Sequence, residues 1–341
     1  HITEQSIRLG QWMDWDNSYY TFDDSNIEAI WFFLKKCNEN KWLYEGTRVM
    51  PWCYRCGTSL SQHEQADSYT ELVHPGLFVK FKIKNRENEY LLVWTTTAWT
   101  LSSNVATAVH PNLDYVKAKK EDEYFYLSKG TVRHIGEHEV VETLKGSDLV
   151  GMEYESLYPD FEAQHGIKHK VVGWGGVTEE EGTGIVHIAP GCGAEDHELG
   201  KQEGLAEIAP LDEFGYFIKG FGWLTGKNVK DAAPLVIEDL RKRGLLFKVE
   251  DYRHSYPVCW RCKEELVFRL VKEWFIKSDE IRLKMKEEAE KVFWYPEFVG
   301  KLMQDWLTNM GDWCISRKRY WGLPLPFYRC VCGHVEVIGS K

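Results

Sequence analysis

VWTTTAWTLSSN, residues 93–104, runs from an apolar stretch into four threonines and ends on an amide. Leu91–Trp94 reads as a strand, and Thr95, Thr96, Thr97 and Thr100 sit just beyond its end. Threonine hydroxyls both donate and accept hydrogen bonds, and Asn104 adds an amide. A second stretch, GTGIVHIAPGCGAED at 182–196, follows the same plan. On the strand Ile185–Ala189, period-two alternation sets His187 on the face opposite Val186 and Ile188. Asp196 follows a glycine-bearing turn, where the backbone can approach a ligand closely. Both stretches thus put hydroxyl, imidazole and acid groups beside a strand end. Together they describe a polar pocket able to hold an amino acid ester and the end of a nucleotide, with Asp196 as partner of an α-ammonium. Taken singly, each has an ordinary reading: threonines favour strands, a lone histidine is commonly a satisfied core residue, and Asp196 could cap the helix EDHELGKQEG.

Outward from these stretches the chain is β-rich. Leu77, Val79, Phe81 and Ile83 alternate with Lys80 and Lys82, the pattern of a half-buried strand. Further strands are expected at 90–94, 105–109, 115–119 and 123–127, with Gly, Pro and Asn in several gaps. So many short strands imply a small barrel or sandwich. A helix near 231–243 closes the block, with Asp231 as cap, Pro234 in the first turn, Glu238 paired with Lys242, and Gly244 as stop. Before the block, Ser25 and Glu28 make a capping box, Ile27, Ile30, Trp31 and Leu34 follow at helical spacing, and Gly46 marks the exit. After residue 250 helix is expected to resume. The β-rich block, 72–250, is therefore read as nested in a different, helical part made of 1–71 and 251–341.

PWCYRC at 51–56 and PVCWRC at 257–262 repeat one phrase on the two sides of that block. Two CxxC pairs make a tetrahedral tetrathiolate site, so Cys53, Cys56, Cys259 and Cys262 are candidate ligands of a structural Zn²⁺. Closing the long loop costs entropy that grows only logarithmically, whereas structural zinc supplies on the order of 10 kcal/mol of apparent binding energy. The metal is expected to staple the base of the inserted block. Four thiolates leave no open position, so no catalytic role is assigned. The rival, a CxxC redox centre, needs only one pair. Cys330 and Cys332, with His334 nearby, read as half of a second zinc site or as free thiols. A half-site so near the last residue raises the expectation that the chain is a piece of something longer.

At 341 residues and 43% hydrophobic content the chain is long enough for two or three domains with packed cores. No apolar run approaches the roughly 20 residues needed to cross a bilayer. HITEQSIRLG lacks the basic start and apolar centre of a secretory signal, so a cytoplasmic protein with no membrane partner is expected. The net charge of −10 argues against a surface that grips nucleic acid all over. Local basic patches stand at Arg241–Arg243, read as a solvated helix end, and at Arg317–Arg319. Of nine cysteines six are in close pairs, which suits metal ligation in a reducing compartment.

The threonine stretch and GTGIVHIAPGCGAED closely resemble the two signature segments of the editing (CP1) domain of isoleucyl-tRNA synthetases, which are class I enzymes. RLGQWMDWDNSYYT at 8–21, HSYPVCWRC at 254–262 and DWCISRKRYWGLPLP at 312–326 resemble further segments of that family, so the likeness runs along essentially the whole chain. It implies an α/β fold class: a β-barrel-like editing domain inserted into part of a helical, Rossmann-type class I synthetase domain with zinc knuckles. It implies that Asp196 holds a substrate amino group and that His187 lines the side-chain pocket and excludes isoleucine. Trp94, Thr95, Thr96, Thr97, Thr100 and Asn104 would position the terminal adenosine and ester of tRNA, or an adenylate. The implied reaction is hydrolysis of valine wrongly attached to tRNA(Ile), and of valyl-adenylate, by a monomer that meets the 3′ end of tRNA(Ile).

Two other readings compete. Valyl and leucyl editing regions usually carry Arg after the threonines (TTRP), whereas this chain reads WTTTAWT. A non-catalytic zinc-knuckle RNA-binding module is disfavoured by the acidic balance. Water is the expected nucleophile, with Thr hydroxyls and backbone N–H groups stabilising the oxyanion and the vicinal ribose hydroxyl orienting the water. Covalent attack by Cys192 is the rival. Ala98 and Ser102 stand where the family has prolines, which implies a looser loop, and Lys318 stands where Gln is common. His134-Ile-Gly-Glu lacks the last histidine of a HIGH sequence, and Lys284-Met-Lys-Glu-Glu shares two letters with KMSKS. No amino acid activation is expected of this chain, and ATP is assigned only to the full-length parent.

Overall fold

The computed structural model describes residues 1–341 apart from 62–63, 66–67, 180–181, 317–321 and 341. The basic patch at 317–319, Lys318 included, therefore lies outside the described residues. The chain divides into two compact units: Arg48–Val271, and His1–Thr47 together with Lys272–Lys341. The larger unit contains the β-rich block and both CxxC pairs.

Its strands follow in order: β1 (Leu43–Cys53, entering from the smaller unit), β2 (Thr58–Ser59), β3 (Tyr69–Lys82), β4 (Glu89–Thr95), β5 (Ala106–Val109), β6 (Asp114–Lys120), β7 (Glu123–Ser128), β8 (Glu139–Lys145), β9 (Lys170–Gly173), β10 (Ile185–Ile188), β11 (Leu246–Pro257) and β12 (Val267–Ile276, leaving it). The four strands expected between 90 and 127 are all present, each within two residues of the expected bounds. They belong to a nine-stranded mixed sheet of order β8–β6–β7–β4–β10–β5–β9, with β3 on the other edge of β4 and β11 beyond β3. Two strands share one edge of β4: β7 lies along Glu89–Leu91 and β10 pairs further on, at Trp94. The expected barrel or sandwich is corrected here. Among the described residues the ladder does not close and keeps three open edges, at β8, β9 and β11, so the sheet is a curled half-barrel.

Leu77, Val79, Phe81, Leu91 and Val93 fill one face of the sheet with Tyr154 and Phe217, while Phe78, Leu92, Phe125 and Leu127 fill the other. Burying one such large side chain contributes about 1.5–3 kcal/mol. The 77–83 strand is thus covered on both faces, and the lysines between survive by pairing, as Lys80 does with Glu123 at 2.8 Å. The closing helix, Ala232–Lys242, stands where expected, with Asp231 at its N-cap, Glu238 3.3 Å from Lys242, and Gly244 at φ +69°. Arg241 also pairs with Glu238, at 3.2 Å, which makes this basic patch a solvated helix end.

Three local expectations are overturned. The first long helix is Asp24–Glu39 with Asp23 as N-cap, so Ser25 and Glu28 lie inside it and form no capping box. That helix ends at Asn40 and Lys41, the latter at φ +60°, and Gly46 belongs to β1. Helix does not resume after 250. β11 runs to Pro257 and β12 to Ile276, and helices return only at Asp279–Glu290 and Phe298–Asn309. β11 pairs with β3 along nearly its whole length, with Lys248 over the Phe78 ring at 4.9 Å. In the smaller unit Leu34, Cys37, Leu43, Ile276 and Val337 make a small core. Lys284 sits on the helix Asp279–Glu290, which buries none of its residues, whereas His134 belongs to the larger unit and leans on Phe78 at 4.9 Å.

Candidate active site

β4 and β10 run parallel with Trp94 opposite Val186. Parallel strands end on the same side, so the turns that follow them emerge together, and ligands commonly bind beyond such carboxyl ends. That topology joins two stretches about ninety residues apart. After β4 the chain makes the turn Thr96–Thr97 and the 3₁₀ helix Ala98–Ser103, all six of whose residues are buried. This corrects the expected loose loop: Trp99 and Leu101 pack into the core without the prolines. After β10 comes Ala189–Gly193, then the helix Ala194–Glu203, with Asp196 in its first turn. A Cβ at Gly191 would lie 2.0 Å from the Ile208 carbonyl oxygen, so only glycine fits that turn.

The two turns enclose a cavity of about 390 Å³. Trp94, Thr95, Thr96, Thr97, Thr100, His187 and Asp196 all line it. The Thr95 hydroxyl accepts from the Thr97 N–H at 3.1 Å. The Thr100 hydroxyl donates to the Thr97 carbonyl at 2.7 Å and lies 2.9 Å from His187 Nε2. With that one hydroxyl proton committed, His187 Nε2 must be the donor, which leaves Nδ1 as a bare acceptor. Nδ1 has no partner among the described residues. Burial holds the imidazole down at about 4, so it is neutral at physiological pH. Asp196 Oδ2 accepts the Ala189 N–H at 2.8 Å. Burial still raises its carboxyl to about 6, against the pull of that bond. Cys192 also lines the cavity, but burial pushes its thiol far above the range in which a thiolate forms. A thiol so shifted is a weak nucleophile, which favours water over Cys192 as the attacking group.

Elsewhere in the same unit, Cys53, Cys56, Cys259 and Cys262 bring their four sulfurs within 4.8 Å of one another. Observed separations are 3.5 Å (Cys53–Cys262), 3.6 Å (Cys56–Cys262) and 4.0 Å (Cys56–Cys259). Sulfurs about 2.3 Å from a tetrahedral centre stand roughly 3.8 Å apart, so this cluster could hold one metal ion. Cys330 and Cys332 flank the turn of a small hairpin, Phe327–Arg329 with Val335–Val337, and belong to no such cluster among the described residues.

Residues 1–339 match the family model of class I tRNA synthetases (I, L, M and V). The chain belongs to that family. Isoleucine–tRNA ligases are similar to this class I chain over almost all its length: 44% identical in Pyrococcus abyssi, 42% in Clostridium tetani (each over 99% of the chain and 33% of the relative) and 41% in Methanosarcina barkeri (100% and 33%). The chain thus spans about a third of the length of the curated relatives it matches. Two solved structures also align with it. The crystal structure of GlLeuRS-CP1 does so at 14% identity and TM-score 0.44, covering 53% of this chain and 99% of that one. The editing domain of the P. knowlesi cytosolic leucyl-tRNA synthetase does so at 10% identity and TM-score 0.40, covering 54% and 97%.

One of the expected site residues falls outside the cavity. Asn104 is buried at 2% exposure, donating to the Ala106 carbonyl at 2.7 Å and accepting from the Tyr154 hydroxyl at 2.7 Å. Its amide is spent on the core, which corrects the expectation that it contacts substrate. The cavity also gains a wall the sequence did not announce: Trp99, Trp174, Val177, Tyr256 and Phe268. Val186 lines it beside His187, because the cavity wraps the end of β10. A usable signal existed for Trp99, which stands in the threonine stretch, and for Tyr256, which stands in HSYPVCWRC. The others come from segments whose spacing carries no chemistry.

Proposed function

We propose that this chain is the editing region of an isoleucyl-tRNA synthetase and that its cavity hydrolyses valine wrongly esterified to tRNA(Ile), and valyl-adenylate. The observation that carries the reading is the convergence of the threonine turn, His187 and Asp196 on one small cavity beyond two parallel strand ends. Asp196 keeps one carboxylate oxygen, Oδ1, for the substrate ammonium while Oδ2 is held by Ala189. Neutral His187 and the aromatic wall bound the side-chain space. Threonine hydroxyls and backbone N–H groups meet the ester and its oxyanion, and a water attacks. Such a second site is needed because a missing methylene is worth only about 1–3 kcal/mol, a range for which isoleucine against valine is itself the standing example.

In this reading the block 72–250 is the editing domain, and 1–71 with 251–341 connect it to the Rossmann-type domain of a full-length parent that uses ATP. The four thiolates hold structural Zn²⁺, and the protein works as a cytoplasmic monomer. No helix among the described residues is long and apolar enough to cross a membrane, which is compatible with that setting. The test offers the chain valine- and isoleucine-charged tRNA(Ile), with and without Asp196→Ala. Valine is expected to be released, isoleucine spared, and the variant inert. Release of isoleucine at the rate of valine would overturn the reading.

A further inference from the structure

Beside the thiolate cluster lies a second cavity, of about 520 Å³, lined by Tyr54, Arg55, Phe214, Tyr216, Lys230 and Glu264. The deacylase reading makes no use of it. Its volume lies within the about 300–1,000 Å³ of ordinary ligand sites. Two large rings stand exposed in one turn, Phe214 at 54% and Tyr216 at 46%. They are nevertheless held firmly. Asp212 Oδ1 accepts the N–H of Phe214 and of Tyr216, each at 2.9 Å. Gly215, between them, has φ +78°, and a Cβ there would meet Tyr54 Cβ at 2.8 Å, so the turn is seated against the first knuckle. Asn228, also in the lining, donates to the Phe214 carbonyl at 3.1 Å. Exposed rings on a braced turn form a ready stacking platform.

The charges around the rings are unequal. Glu264 accepts the Tyr54 hydroxyl at 2.7 Å and lies 3.7 Å from Arg55, so these two charges offset each other and Lys230 is left as the spare cation. Lys230 makes no ion pair among the described residues. Stacking faces beside a spare cation are the chemistry of single-stranded nucleic acid sites, where bases stack on rings and cations meet phosphate. An apolar peptide would leave Lys230 without a counter-charge, which a phosphate supplies.

We propose that this cavity binds one unpaired nucleotide of an RNA strand, its base stacked on Phe214 and Tyr216 and its phosphate met by Lys230 and Arg55. The test uses the full, metal-loaded chain and a fluorescently labelled pentaribonucleotide, read by anisotropy across a salt series. Joint substitution Phe214→Ala and Tyr216→Ala is expected to weaken binding at least about tenfold, as loss of a stacked base does. Lys230→Gln weakens it about threefold and flattens the salt slope. Tyr216→Phe keeps it, which separates the ring from its hydroxyl. Both rings are solvent-exposed, and an unchanged melting temperature verifies that the ring-less variant is folded. Binding undiminished in that variant, displacement of the probe by AMP as readily as by unlabelled pentanucleotide, or no binding by the parent chain at millimolar probe would each overturn the proposal. The probe is never hydrolysed and Asp196→Ala is expected to bind it normally, so this proposal and the deacylase reading can fail separately.

Discussion

The cavity beyond β4 and β10 and the cavity beside the thiolates lie in one compact unit, yet they treat charge in opposite ways. In the first, His187 is buried and Asp196 partly so, and desolvation drives both toward neutrality: His187 down to about 4 and Asp196 up to about 6. In the second, Arg55 and Lys230 stand exposed at the surface. A desolvated group answers to pH, whereas an exposed charge answers to salt. This contrast is why chemistry on a small ligand is proposed for the first cavity and capture of a polyanion for the second.

The largest expected effect sharpens that division. Asp196→Ala should lower valine release about a hundredfold, equivalent to the upper end of the ~1.5–3 kcal/mol carried by a hydrogen bond to a charged group. Pentanucleotide binding should not move. Next, treating the zinc-loaded chain with a chelator should cost pentanucleotide binding more than tenfold while valine release falls less than threefold, because Tyr54 and Arg55 sit between Cys53 and Cys56 of the cluster that could hold the ion. Equal losses in both assays would merge the two cavities into one functional unit.

The pH profile is the third way to break the comparison. Ammonium binding needs the Asp196 carboxylate, so valine release should rise as pH passes about 6 and level off above it. A profile flat from pH 5 to 8 would show that the acid is not titrating in the working site. The same shift has a stability consequence of opposite sign. A carboxyl whose folded value is raised above its ordinary 3.8 leaves the fold more stable below that value, and this advantage is lost as pH climbs through 6. Asp196→Asn, inert as a deacylase, should therefore melt about 3 °C or more higher than the parent at pH 7.5, and no higher at pH 3.5, by calorimetry. The smallest effect is expected from Cys192→Ala, with valine release changed less than threefold. A larger loss would return the thiol to the mechanism.

Much of this was legible in residue patterns, for identifiable reasons. The strands between 90 and 127 announced themselves because apolar alternation and Gly, Pro and Asn breaks agree there. The threonine turn and Asp196 were legible because each follows a strand end, and His187 because period-two alternation on its strand sets it apart from its apolar neighbours. β11 was missed because charges stand on both of its faces, Glu250 on one and Asp251 on the other, and only the long partner β3 makes it a strand. Asn104 was misplaced because sequence proximity to the threonines says nothing about the 3₁₀ helix, which carries it into the core. The aromatic wall was invisible because Trp174, Tyr256 and Phe268 arrive from segments that meet only in three dimensions. Ser25 misled because a helix can start one residue before a good cap.

β10 touches β4 at one rung, Val186 opposite Trp94, but is fastened to β5 at four, from Ile185 opposite Val109 to Ile188 opposite Ala106. A slip of one residue would carry the imidazole of His187 about 3.3 Å along the strand and turn it to the other face. The short strand β5 thus acts as a ruler for a chamber whose wall it does not join. Inherited changes at Ala106 or Ala108 could blur discrimination between amino acids without touching either one.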